Sequence, residues 1–201
     1  MKTFKIKSFL ILLAISLNIE AAELNVCQNL AEKYGKQFKI PNKLLSSISI
    51  VESGTVKDNN YVSWPWTLNV DGQAKYFKTK KEALNFLMSN FNKSKNIDVG
   101  CMQISTKYHL HEFINISDII DPEKNVEYAA KYLRQLYNTY KTWNEAVARY
   151  HSSIPARKKT YLSKVHYFWK KLRQKPTKKQ TKQQKKLDYF KTQLKKEFEI
   201  L

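Results

Sequence analysis

Apolar residues recur along this chain mostly at three- and four-residue intervals, the period of a helix that buries one face. Residues 24–38 place Val26, Leu30, Tyr34 and Phe38 on one such stripe, with Cys27 beside it. Pro41 opens a second helix at a first-turn position that tolerates its missing N–H. Leu44, Leu45, Ile48 and Val51 form that helix's buried face, and Gly54 closes it. The period then changes. Residues 66–70 and 74–77 flank Asp71-Gly72, the dipeptide favoured in type I′ turns, which predicts a β-hairpin. Thr79-Lys80-Lys81-Glu82 is a capping box that starts a helix with Ala83, Phe86, Leu87 and Phe91 inward. Asp121-Pro122 opens a long helix with Val126, Ala129, Ala130, Leu133, Leu136 and Tyr140 along one side. A second capping box, Thr142 to Glu145, starts the next, with Ala146, Val147 and Tyr150. Beyond Pro155, the set Tyr161, Val165, Phe168, Trp169 and Leu172 predicts one helix more. The expected fold is mainly α with one small β-hairpin.

The two ends of the chain change this picture. Lys2, Lys5 and Lys7 precede an uncharged apolar run at 9–17, and Ala21-Ala22 follow. This is the pattern of a signal peptide over residues 1–22, and it predicts an exported protein, periplasmic or secreted. The run is shorter than the about 20 residues a membrane-spanning helix needs. Cys27 and Cys101 are the only cysteines. Export places them where disulfides persist, which predicts a bridge between them. Acylation of Cys27 is the competing reading, and Val26 stands against it where a small residue is expected.

The formal net charge of +19 is concentrated at the C-terminal end, where residues 155–201 hold sixteen Lys/Arg against Asp188, Glu197 and Glu199. Residues 174–186 are polar and low in complexity and read as a solvated linker, with a marginal basic helix in the last fifteen residues. Such a tail suits anionic lipid, acidic wall polymer or a partner protein. Export and the near-balanced body weigh against a nucleic-acid partner. His109, His111, His151 and His166 lack metal-site spacing, and there is no phosphate-binding glycine loop or redox motif. No metal or cofactor is expected.

Among residues with chemistry to offer, Glu52 comes first. It ends an otherwise apolar helix, where the negative end of the helix dipole and apolar neighbours both disfavour a carboxylate. Both effects raise its pKa, as a general acid near neutral pH requires. On these features alone, an exposed helix-end glutamate is the alternative.

Glu52-Ser53-Gly54, Gly100-Cys101-Met102-Gln103-Ile104, Asn125 with Tyr132-Leu133, and Ala146-Val147-Ala148-Arg149-Tyr150-His151 occur in that order. Over about residues 24–154, the set resembles the soluble lytic transglycosylase (SLT) domain of the lysozyme superfamily. Residues 64–70 and Tyr150-His151-Ser152 resemble a small periplasmic branch associated with type IV secretion and conjugation machinery. The resemblance implies a lysozyme-like α+β catalytic domain over 23–154; the pattern and composition beyond it read as a basic helical extension at 155–173 and a basic, flexible tail at 174–201. It implies peptidoglycan glycan strands as substrate, cut at the β-1,4 bond between N-acetylmuramic acid and N-acetylglucosamine. Glu52 would protonate the glycosidic oxygen and then accept the muramoyl C6 hydroxyl proton, leaving a 1,6-anhydro end. One carboxyl suffices there, whereas ordinary glycosidases use two.

By the same resemblance Gln103 binds substrate, and the Tyr150 hydroxyl lies near the acid and the N-acetyl group, with buried packing as its alternative. Met102 either lines the cleft or packs in the core. Ser53 either contacts substrate or caps locally. Cys101 stands where the family often has an aliphatic residue, and His151 where it commonly has asparagine. Asp98 is the nearest second carboxylate by order but reads as a loop or capping residue, and Asp71 is explained by its turn. Trp64, Trp66, Tyr61 and Tyr76 suit sugar stacking or hairpin packing. A hydrolytic lysozyme and a non-catalytic, glycan-binding scaffold docked by its tail are the competing functions.

Overall fold

The computed structural model describes residues 25–57, 60–94 and 96–174, and the single residues 182, 185, 186, 189 and 192. The expected signal peptide at 1–22 and most of the tail lie outside the described residues. The chain divides into two compact units, 1–169 and 170–201. The second holds the end of the last long helix and helical backbone at those five single residues.

The first unit is mainly α, in the lysozyme-like manner, and is organised around one short helix. Helix α1 covers residues 25–37, and α2 covers Leu44–Ser53. Leu44, Leu45, Ile48 and Ile50 are buried on α2, and so are Ser46, Ser47, Ser49 and Ser53. A helix wrapped on nearly every side must satisfy its polar groups internally. Ser47 bonds back to the Lys43 carbonyl (2.6 Å), and Ser46 donates to Glu32 of α1. Ser49 and Ser53 both donate to the Cys101 carbonyl, at 3.3 and 2.8 Å.

Both ends of α2 differ from expectation. Pro41 does not sit in the first turn. Its carbonyl accepts from the Leu44 N–H (3.0 Å), and Lys43, left-handed at φ 66°, turns the chain into the helix. Gly54 ends α2 without a left-handed cap, because it is extended at φ −67°, ψ 139° and leads straight into a strand. A Cβ at Gly54 would lie 2.1 Å from the Ile50 carbonyl oxygen, so close approach is what demands glycine.

Strands β1 (Gly54–Lys57) and β2 (Asn60–Ser63) form an antiparallel pair immediately after α2. The expected hairpin is β3 (Thr67–Val70) and β4 (Gln73–Tyr76), with Asp71 and Gly72 both at positive φ, as a type I′ turn requires. It belongs to a larger sheet of order β4-β3-β5-β6, completed by β5 (Ile97–Val99) and β6 (Ile104–Ser105). Strands of three and two residues are too short to show alternation, which is why the pattern held no sign of them.

Helix α3 (Lys80–Asn90) packs Ala83 and Leu87 inward. Thr79 caps it by accepting from the Glu82 N–H (3.2 Å), whereas the Glu82 carboxylate accepts from Lys78 rather than Thr79. The short α4 (Thr106–His109) and α5 (Ile116–Ile119) lead to α6 (Pro122–Tyr140), capped by Asp121, with Val126, Ala129, Ala130 and Leu133 buried. Helix α7 (Trp143–His151) starts on the Thr142 cap, but Glu145 does not close the box. It pairs with Arg149 (2.6 Å) and with Lys158.

Helix α8 spans Pro155–Arg173. Residues 155–169, set apart as an extension by the sequence pattern, lie in the first unit and contribute Tyr161 and Val165 to its core. Cys27 and Cys101 are bonded, Cα to Cα 5.4 Å, and both are fully buried. The bond ties α1 to the β5–β6 turn and leaves no thiol on Cys27 for acylation. Closing a loop of this length contributes about 4 kcal/mol in the chain-entropy model.

Candidate active site

The end of α2, the β5–β6 turn with its strands, and the end of α7 converge on a cleft of about 390 Å³, to which β3, α4, α6 and α8 add lining residues. The turn is held in place before any substrate arrives. Gly100 has φ 77°, and a Cβ there would meet the Asn125 amide at 2.9 Å. Fully buried Asn125 donates to the Val99 and Ile119 carbonyls (2.8 Å each) and accepts from the Met102 N–H (2.9 Å). Gln103 follows in a left-handed conformation at φ 47°, a strained state that the Asn125 contacts and the disulfide over-determine.

Glu52 reaches the cleft because α2 stops one residue later. Its Oε1 accepts a 2.5 Å hydrogen bond from the Tyr161 hydroxyl of α8. Burial raises its pKa from 4.5 to about 7. The Tyr161 bond opposes that rise, the negative charge of Asp98 adds to it, and Lys164 opposes it. At neutral pH, then, protonated and ionised forms are both well populated, and one carboxyl can give and take a proton. His151 stacks on Tyr161 with ring centroids 4.4 Å apart and planes 3° from parallel, so the hydroxyl that holds Glu52 is itself held. Burial, and then Arg157 and Lys164, push the His151 pKa down.

The expected substrate residues divide into two groups. Gln103 lines the cleft. Its Nε2 donates to the Thr67 and Gly100 carbonyls (3.2 and 3.1 Å), and its Oε1 has no protein partner among the described residues. Tyr150 also lines the cleft and donates to the Met102 carbonyl (2.9 Å). Burial and the nearby Glu52 charge keep its hydroxyl protonated. Ser53 and Met102 are fully buried and do not face the cleft. Ser53 fastens α2 to the Cys101 carbonyl, and Met102 is a core residue whose backbone carries the Asn125 and Tyr150 bonds.

Asp98 is no loop residue. It lies on β5 and lines the same cleft as Glu52, with its pKa raised by burial against the opposing bond from Asn96 (2.7 Å). Asp71 serves the turn, accepting from the Asn96 N–H (3.1 Å). Trp64 donates to the Phe77 carbonyl (2.7 Å), Trp66 is buried, and Tyr61 packs edge-on against Phe168. Trp64 and Trp66 pack in the hairpin region and Tyr61, on β2, packs against α8; none of these rings, nor Tyr76, lines the cleft, whose tyrosines are Tyr108, Tyr132 and Tyr150.

Tyr161, which the sequence pattern placed only on a packing stripe, and Arg157 and Asn69 were not recognised from the sequence as site residues. Asn69 lines the cleft, and its buried Oδ1 has no partner among the described residues. Among the described residues, no three His, Cys, Asp or Glu side chains converge as a metal site. A separate cavity of about 370 Å³ between α1 and the loop before α2 holds no comparable set of groups.

Residues 29–171 match the family model described as the transglycosylase SLT domain. Neither the curated proteins nor the solved structures searched gave a match.

Proposed function

Because the chain belongs to the transglycosylase SLT domain family, whose members are lytic transglycosylases acting on peptidoglycan, we propose that Glu52 is its catalytic acid and base. The bond cut is the β-1,4 link from N-acetylmuramic acid to N-acetylglucosamine. Protonated Glu52 gives its proton to the glycosidic oxygen as the muramoyl C1–O bond breaks, and the glucosaminyl side leaves as an alcohol. The C6 hydroxyl oxygen of the same muramoyl ring then bonds to C1, and its proton returns to the Glu52 carboxylate. The product is a 1,6-anhydro end, no water is consumed, and the enzyme finishes protonated as it began. The observation that carries this reading is the Glu52 carboxyl in the cleft with its pKa at about 7 and its Oε1 fixed by Tyr161.

Gln103 Oε1, without a partner among the described residues, is available to accept from the sugar's N–H and O–H groups. Tyr150, whose proton is spent on the Met102 carbonyl, presents its oxygen beside the acid. We place this activity outside the cytoplasm, on the basis of the sequence at residues 1–22. There it would open the wall locally for an envelope-spanning machine of the secretion or conjugation type, with the basic tail docking to an anionic surface.

One observation favours a second reading. Asp98 shares the cleft with Glu52, as a two-carboxylate hydrolase would require. Digestion of purified peptidoglycan in ¹⁸O-labelled water separates the two. Transglycosylation gives anhydro ends without label, lighter by one water than reducing ends. New reducing ends that accumulate with digestion, carrying ¹⁸O beyond that of an enzyme-free control in the same water, would establish the muramidase instead.

A further inference from the structure

We propose that a second, basic cavity beside Glu52 is a subsite for a carboxylate of the substrate. This deepens the peptidoglycan reading and rests on it. The cavity, of about 360 Å³, lies on the α8 side of the acid, and Glu52, His151 and Arg157 line both it and the glycan cleft. Its remaining charged group is Lys164.

The arrangement follows from helical spacing. Residues 157, 161 and 164 of α8 fall on one face, so the turn that brings Tyr161 to Glu52 also projects Arg157 and Lys164 to either side of it. Their neighbour Lys158 is neutralised by Glu145. Arg157 and Lys164, by contrast, have no hydrogen-bond or ion-pair partner among the described residues. The one acid lining the cavity is Glu52, which feels the Lys164 charge and is only partly ionised near neutral pH. Among the described residues the cavity therefore sets two cations against a single, partly ionised carboxyl.

Peptidoglycan has its carboxylates on the muramoyl residue and none on the glucosaminyl residue. They belong to the stem peptide, or to the lactyl ether itself once the stem has been removed. A carboxylate held by Arg157 at the junction of the two cavities would place the muramoyl side next to Glu52 and fix which bond lies over the acid. An arginine fork suits a carboxylate in this way, with Lys164 adding a point charge.

The test measures kcat/KM of the mature full chain on soluble glycan fragments. Stems are supplied with free carboxylates, with amidated carboxylates, or removed by an amidase to expose the lactyl carboxylate, which is itself amidated in a fourth arm. Neutralising the recognised carboxylate should lower kcat/KM about five- to tenfold, mostly through KM. A drop between the first two arms assigns the stem, and a drop between the last two assigns the lactyl group. Arg157→Gln and Lys164→Gln, both at exposed positions, should bring that ratio towards one, and Arg157→Glu should reverse it. Equal rates in all four arms would overturn the subsite, as would a preference that survives Arg157→Gln unchanged, while leaving the cleavage reading intact. Absence of cleavage in every arm would defeat the cleavage reading and the subsite with it.

Discussion

Glu52→Gln separates the electrostatics of the acid from its chemistry, because a stability measurement needs no substrate. Burial lifts the Glu52 pKa from 4.5 to about 7, so between those values the folded protein holds a proton that the unfolded chain has released. Stability therefore falls as pH rises through this window. The contribution of Glu52 is fully present below about 4.5 and is lost by about 7. Glutamine keeps the shape, can still accept from Tyr161, and does not titrate. At about 1.4 kcal/mol per pH unit, the window corresponds to about 3 kcal/mol for a group sealed from solvent. Glu52 opens onto the cleft, and screening by water there reduces this to about 2 kcal/mol. Urea denaturation with the disulfide intact should find the variant's advantage over wild type larger at pH 8 than at pH 4 by that amount. A stability difference that stays flat across the window, or that runs the other way, would refute the claim that burial dominates at Glu52.

Tyr161→Phe removes the hydrogen bond that opposes this rise. The high-pH limb of kcat/KM should move up by about one pH unit, and a limb that stays put or moves down counts against the assignment. Alkylation of the native protein should find no free thiol, and Cys27→Ser with Cys101→Ser should cost about 4 kcal/mol in denaturant. Gly100→Ala places a Cβ at φ 77° and 2.9 Å from the Asn125 amide. It should lower stability by about 2 kcal/mol and lower turnover as well, since the cleft turn must shift.

The helices with long apolar stripes, α1, α6 and α7, were legible in the chain, and so was the Asp71-Gly72 turn, because each rests on local chemistry. The short partners of that hairpin were not. A three-residue β5 is made a strand by pairing with β3, as Leu68 does with Val99, and such pairing leaves little local trace. Glu52 stood out at an apolar helix end, where an exposed glutamate read equally well until the Glu52-Ser53-Gly54 resemblance favoured the acid, but its partner Tyr161 carried no such mark. Tyr161 lies 109 residues away on a stripe that reads equally well as packing, and a buried tyrosine serves both purposes. Met102 shows the reverse case. Its place between Cys101 and Gln103 suggested the cleft, yet a turn pinned by Asn125 sends alternate side chains to opposite sides, Met102 to the core and Gln103 to the cleft.

The central claim is that one carboxyl, Glu52, carries the cleavage. Its most direct test is the release of anhydro-muropeptides from purified peptidoglycan, followed by mass spectrometry for the wild type and Glu52→Gln side by side. The account predicts anhydro products from the wild type and a loss of about 10²- to 10⁴-fold in the variant, the range for removing a general acid. Near-wild-type release by Glu52→Gln would contradict it.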